Sequence, residues 1–136
     1  MKVEEADKLS LQEACDYAVE KIVEQGERCV DNGGCRYSLV DEETGGYIHC
    51  AVGWLLDEED DDLMDAVYGV GELADQYGDK VPKLIQDNLY TFRVLQGFHD
   101  ARKKHHRVES VKQLSKYHNI DTSPPQYQQW VDMGEA

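Results

Sequence analysis

The stretch Cys35-Arg-Tyr-Ser-Leu-Val-Asp-Glu-Glu-Thr-Gly-Gly-Tyr-Ile-His-Cys-Ala-Val-Gly53 most constrains the fold. It reads as two short strands, Cys35 to Val40 and Gly46 to Val52, joined by a polar turn from Asp41 to Gly45. If Val40 pairs with Gly45, Cys35 falls opposite Cys50 and Tyr37 opposite Ile48, each pair on one face of the hairpin. A one-residue shift in the loop would undo that register.

Everything around the hairpin reads as helix. Ser10-Leu-Gln-Glu13 has the form of a capping box. Leu11, Ala14, Cys15, Ala18, Ile22 and Cys29 or Val30 follow at helical spacing, and Asp31-Asn-Gly-Gly34 supplies left-handed residues to stop a helix of about 10–30. Asp57 is placed to cap a short helix carrying Leu63, Met64, Val67 and Tyr68, and a second short helix runs from about Glu72 to Tyr77 before Gly78. Pro82 suits a first helical turn, and Ile85, Leu89, Phe92, Leu95 (or Gln96) and His99 then share a face, predicting a long helix to about His105. Its C-terminus gathers Arg102, Lys103, Lys104 and Arg107, where the helix dipole favours cations. A last helix is expected from about Glu109 to His118. Asp121-Thr-Ser-Pro-Pro125 breaks the pattern, leaving one aromatic turn with Tyr127 and Trp130. The expected architecture is α+β: one small antiparallel hairpin packed against four or five helices, as a single domain over 1–120, with a Pro-containing tail over 121–136.

Charge narrows the partners. From Tyr37 to Asp79 there are thirteen Asp and Glu and no Lys or Arg. The net charge is −14, and the main basic cluster lies in 101–118, with six basic residues and one acid. Such a body repels nucleic acid and favours basic protein surfaces. The sequence holds no apolar run of membrane-spanning length, and Met1-Lys-Val-Glu-Glu lacks the apolar core of a secretory signal. A cytoplasmic protein is expected, with Cys15, Cys29, Cys35 and Cys50 reduced.

Several side chains invite chemistry. Cys35 and Cys50, with Cys29, His49 or His99, supply ligand types that zinc prefers, but the close C-x2-C or H-x3-H pairs are absent. The plainer account is that small thiols pack where the hairpin meets the helices. Cys50 and His99 make a nucleophile and base on paper, yet nearby carboxylates would raise the thiol and no oxyanion-hole signature accompanies it. His99 and Asp100 read more simply as a helix–hairpin junction. In Asp57-Glu-Glu-Asp-Asp-Asp62, an EF-hand would need glycine at Asp62 and glutamate at Tyr68, so calcium is rejected and no cofactor is expected. Lys103, Lys104, His105, His106 and Arg107 are explained as partners of the dipole and of the acidic face, so direct nucleic-acid binding is not expected. Carboxylates on a rigid hairpin–helix surface can instead imitate DNA phosphates or dock on a lysine- and arginine-lined groove.

Cys35-x-Tyr37, Gly46-x3-Cys50-Ala-Val-Gly53 and Leu95-Gln-Gly-Phe-His99-Asp100 together resemble a pattern in small proteins of tailed-phage and prophage genomes. That pattern runs approximately C-x-Y, G-x-x-C-A-x-G, an acidic segment and L-Q-x-x-H-D on a late helix. The hairpin loop here is one residue off the family's spacing, and Leu56-Asp replaces a Pro-containing exit. The resemblance implies a phage context, hence a bacterial host cell, and a small α+β fold; it carries over no catalytic residue.

The combined expectation is a non-enzymatic, phage-encoded acidic inhibitor or modulator of a host protein. Its target would be a basic, nucleic-acid-binding defence complex, of anti-CRISPR or anti-restriction type, or a polymerase. The contacting acids would be Asp57, Glu58, Glu59, Asp60, Asp61, Asp62 and Asp65, supported by Glu42 and Glu43 at the hairpin tip. Two alternatives stand beside it: a small cysteine- or zinc-dependent enzyme centred on Cys35, Cys50 and His99, and a phage structural or assembly accessory. Tyr127, Trp130 and Met133 would offer an apolar contact for a homodimer.

Overall fold

The computed structural model describes residues 1–31 and 34–136, and of Gly34 and Cys35 the backbone alone. A single turn, α1 (Val3–Ala6), precedes α2 (Leu11–Gln25). The capping box forms as expected, the Ser10 hydroxyl accepting from the Glu13 amide and the Glu13 carboxylate from the Ser10 amide. The helix stops earlier than the apolar spacing predicts. Gly26 takes the left-handed conformation (φ 80°) that ends it, so Cys29 and Val30 lie beyond it. The expected stop at Asp31-Asn-Gly-Gly34 falls partly outside the described residues.

Val30–Asp31 (β1) pairs antiparallel with Gly34–Cys35 (β2), Val30 opposite Cys35. The expected single strand from Cys35 to Val40 is therefore two pieces, the chain turning at Arg36 and Tyr37. The hairpin proper is β3 (Ser38–Val40) against β4 (Tyr47–His49), with Val40 opposite Tyr47 and Leu39 opposite Ile48. This register differs by two residues from the expected one because Asp41 closes the turn. Its amide donates to the Gly46 carbonyl, its carbonyl accepts from Gly45, and its carboxylate accepts from the Glu43 amide and the Thr44 hydroxyl. Gly45 sits at φ 73°, where a side chain would be strained. Tyr37 consequently lies outside the ladder, and Cys35 is paired with Val30 instead of Cys50.

Beyond the hairpin a 3-10 turn (Gly53–Leu55) leads to α3 (Asp61–Met64), α4 (Val70–Tyr77), a second 3-10 turn (Gly78–Lys80) and α5 (Lys83–Gln86). The cap of α3 is Asp60 and not Asp57, and Val67 and Tyr68 fall after the helix, exposed. The long helix expected from Pro82 is broken twice, giving α5, α6 (Leu89–Asp100) and α7 (Lys104–His118). Breaking at Ala101 lets α7 fold back on α6 and place Leu114 in the core. Freed backbone groups at the break are met elsewhere: Arg102 O accepts from the Glu135 amide, and the Lys104 amide donates to Glu135 O. The basic residues thus start α7 instead of ending one long helix. Arg107 is buried and donates to two helix-end carbonyls, Ala101 O (2.7 Å) and Trp130 O (2.5 Å).

The segment expected as a tail carries α8 (Pro125–Asp132), packed on α2 and α7. Its Tyr127 and Trp130 are buried in the same core as Ile22, Leu55, Phe92 and Leu95, while Met133 is exposed. The Tyr127 hydroxyl donates to Asp16 (2.8 Å), and Trp130 Nε1 to the Phe98 carbonyl (2.9 Å). Five of the eight helices among the described residues exceed two turns, so an α+β domain with a small hairpin is the architecture. Among the described residues no helix is long and apolar enough to cross a membrane.

Candidate functional site

The residues singled out as a reactive centre meet at a junction where their polar atoms are already engaged. His99 Nε2 accepts from the Cys29 amide (3.0 Å), so its proton lies on Nδ1 and is donated to Asp100 (2.7 Å). Its lone pair is thereby occupied, and no hydrogen bond joins His99 to Cys50. Cys50 Sγ accepts from the Gly53 amide (3.3 Å), and the Cys29 thiol donates to the Ile48 carbonyl (3.5 Å). Gln96 Oε1 accepts from the Val52 amide (3.1 Å), tying α6 to the hairpin exit. Gly53 is required by closeness: a Cβ there would stand 2.3 Å from the Tyr37 carbonyl oxygen. Among the described side chains, His, Cys, Asp and Glu do not converge in threes to hold a metal. The side chain of Cys35, named with Cys50 and His99 in that reading, lies outside the described residues.

The acidic stretch is divided by its surroundings. Lys2 reaches Asp57 (3.2 Å) and Glu59 (2.5 Å), and Lys80 reaches Asp60 (3.3 Å) and Asp62 (3.6 Å). The bond to Glu59, then that to Asp57, holds the Lys2 ammonium above its ordinary value; Asp60 is the main cause at Lys80. At Asp57 burial opposes ionisation, but the Glu59 amide and Lys2 outweigh it and hold the carboxyl low. Asp60 is also structural, its carboxylate accepting from the Asp62 and Leu63 amides at the start of α3. Neither lysine belongs to the base-free interval, so these pairings arise only from the fold.

The remaining acids face outward. Glu58, Asp61 and Asp65, with Glu59, line a cleft of about 560 Å³ between α3 and the hairpin. Its apolar wall is Leu39, Val40, Tyr47 and Met64, and Arg36 and Ser38 also line it. Val40 and Tyr47 are 58 and 63 % exposed. Among the described residues no Lys stands within ion-pair distance of Asp61, Asp65, Glu42 or Glu43. Glu42 and Glu43 are exposed on the hairpin tip.

His49, offered by the sequence only as a possible zinc ligand, turns out to be a cleft residue. His49 is only 2 % exposed, yet it lines this cleft, with Nδ1 3.0 Å from the Tyr37 carbonyl and Nε2 3.4 Å from Glu58. Trp54 meets its ring edge-on at 4.6 Å. Gln25 holds the residue by both backbone groups, accepting from the His49 amide (3.1 Å) and donating to its carbonyl (2.7 Å). Its Oε1 also accepts from Trp54 Nε1 (3.0 Å). A histidine at the end of a strand carries no spacing signal that would mark it as lining a cleft. Comparison with protein-family models, with curated proteins and with solved structures finds no match to this chain.

Proposed function

We propose that the protein is a non-enzymatic modulator that lays the acidic cleft between the hairpin and α3 on a basic, nucleic-acid-binding surface of a host protein. The observation that supports this reading is the separation of the acids into two sets. Asp57, Glu59, Asp60 and Asp62 are tied to Lys2 and Lys80, whereas Glu58, Asp61 and Asp65 stand beside exposed Val40 and Tyr47. Carboxylates serving only solubility need no apolar neighbour; a docking surface gains from both, since apolar contact supplies affinity and charge supplies orientation and encounter rate. The contact set is accordingly narrowed to Glu58, Asp61 and Asp65, with Glu42 and Glu43 supporting. The phage setting and a defence complex as target rest on the resemblance in Cys35–Asp100.

The test is capture from bacterial lysate at low and high salt, with duplex DNA as competitor. It compares wild type, a Glu58→Gln/Asp61→Asn/Asp65→Asn variant, and a Tyr47→Ser variant. The expected result is a basic partner released by salt and by DNA, and lost with both variants. A partner held equally by all three proteins and indifferent to DNA would sink the reading.

A further inference from the structure

His49 and Glu58 present two acceptors to each other. The Tyr37 carbonyl can only accept, so His49 Nδ1 carries the hydrogen, and in the neutral ring Nε2 is a bare lone pair. It faces the Glu58 carboxylate at 3.4 Å, itself an acceptor and 60 % exposed. The pair lacks a donor. A donor entering the cleft would serve both acceptors, and it is favoured when it is a cation, because four carboxylates, Glu58, Glu59, Asp61 and Asp65, line the cleft against one guanidinium, Arg36.

We propose that this cleft is a pocket for an arginine side chain, whose guanidinium donates to His49 Nε2 and Glu58 Oε2 together. Two acceptors 3.4 Å apart suit the planar fork of a guanidinium, which presents parallel N–H groups, better than the compact ammonium of lysine. Tyr47 and Val40 give the methylene stem an apolar wall. The inference rests on the docking reading above and names the chemistry of the partner's anchor.

The probe is N-acetyl-arginine amide, titrated against the whole protein while the His49 ring resonances are followed by NMR at about pH 8. Saturable shifts at His49 are expected. N-acetyl-lysine amide should bind more weakly and N-acetyl-citrulline amide not detectably. Glu58→Gln, on an exposed side chain, satisfies His49 from within and should abolish the response with the fold intact. No saturable shift, equal response to lysine, or an unchanged response in Glu58→Gln would each overturn the proposal. Because lysate capture is scored separately, a failed arginine titration beside a captured basic partner refutes the pocket and leaves the docking reading standing.

Discussion

Replacing Gln25 by Ala tests whether the end of α2 really fixes the hairpin exit. The amide makes four hydrogen bonds: Oε1 accepts from the His49 amide and Trp54 Nε1, and Nε2 donates to the His49 and Glu27 carbonyls. Three of these reach groups of the hairpin exit, 24 or 29 residues away in sequence. A net hydrogen bond contributes about 0.5–1.5 kcal/mol, and a buried group left without a partner costs about 1–3 kcal/mol. The Glu27 bond lies in solvent and is discounted; the three others together give about 2–4 kcal/mol of lost stability. Urea unfolding of wild type and variant, followed by tryptophan fluorescence and circular dichroism, reads this directly from the shift in midpoint at constant slope. Gln25→Glu is the sharper control, since it keeps acceptors for His49 N–H and Trp54 but turns a carboxylate on two carbonyls; it should lose stability too. A cost below about 0.5 kcal/mol for Gln25→Ala, the level of an ordinary surface substitution, would refute the reasoning and mean that water replaces the amide without penalty.

Other consequences follow from single contacts. Gly53→Ala should cost at least about 2 kcal/mol, since its Cβ would meet a backbone oxygen at 2.3 Å and the Tyr37–Gly53 approach must open; thermal unfolding measures it. Arg107→Met should cost about 2–4 kcal/mol by stranding the Ala101 and Trp130 carbonyls and removing the cation 4.0 Å from the Trp130 ring, visible as a lowered Tm and early exchange of α8 amides. Burial, then the Asp16 carboxylate, pushes the Cys15 thiol up from its ordinary 9.0 to about 12. A raised value favours the protonated native state, so this contribution is full below about pH 9 and is lost as the pH climbs toward 12. Native protein at pH 8 should leave the Cys15 peptide unalkylated by iodoacetamide, with labelling appearing only on unfolding, as read by peptide mass spectrometry.

Local chemistry was legible where one short segment decides the outcome. The Ser10–Glu13 box and the stop at Gly78 are complete in themselves, and both stand where expected. Errors arose where local signals competed or where distant residues decide. Cys29 and Val30 continue the apolar spacing of α2, but Gly26 intervenes with a left-handed backbone. The hairpin register turned on whether the loop begins at Asp41 or closes on it, and the Asp41 carboxylate, by capping two groups of its own loop, decides for closure. Nothing near Trp130 reveals that it stacks on His99 at 6.2 Å, so the last helix read as a tail. The pairing of four acids of Asp57–Asp62 with Lys2 and Lys80 was likewise invisible, the Lys2 partners lying 55 and 57 residues away. Composition reports charge, and only the fold reports which charge is free.

Cys50 belongs to the residues that carry the phage resemblance and does not line the acidic cleft, so a substitution there separates the cysteine-centred reading from the docking one. An enzyme centred on Cys50 would lose all activity in Cys50→Ser, but that variant is a poor discriminator here. Cys50 is fully buried and accepts from the Gly53 amide at 3.3 Å, so a serine hydroxyl must find a donor's partner in an apolar junction, costing about 1–3 kcal/mol. Loss of function would then be indistinguishable from loss of fold. Cys50→Ala removes the sulfur without adding a polar group, and its cost should be about 1 kcal/mol, from one weak bond and a small void. With that variant shown to be folded by its unfolding midpoint, the docking reading expects partner capture at the wild-type level and an undiminished arginine response at His49. Capture that disappears while the midpoint stays within about 1 kcal/mol of wild type would place the function at the thiol and return the cysteine-centred reading to first place.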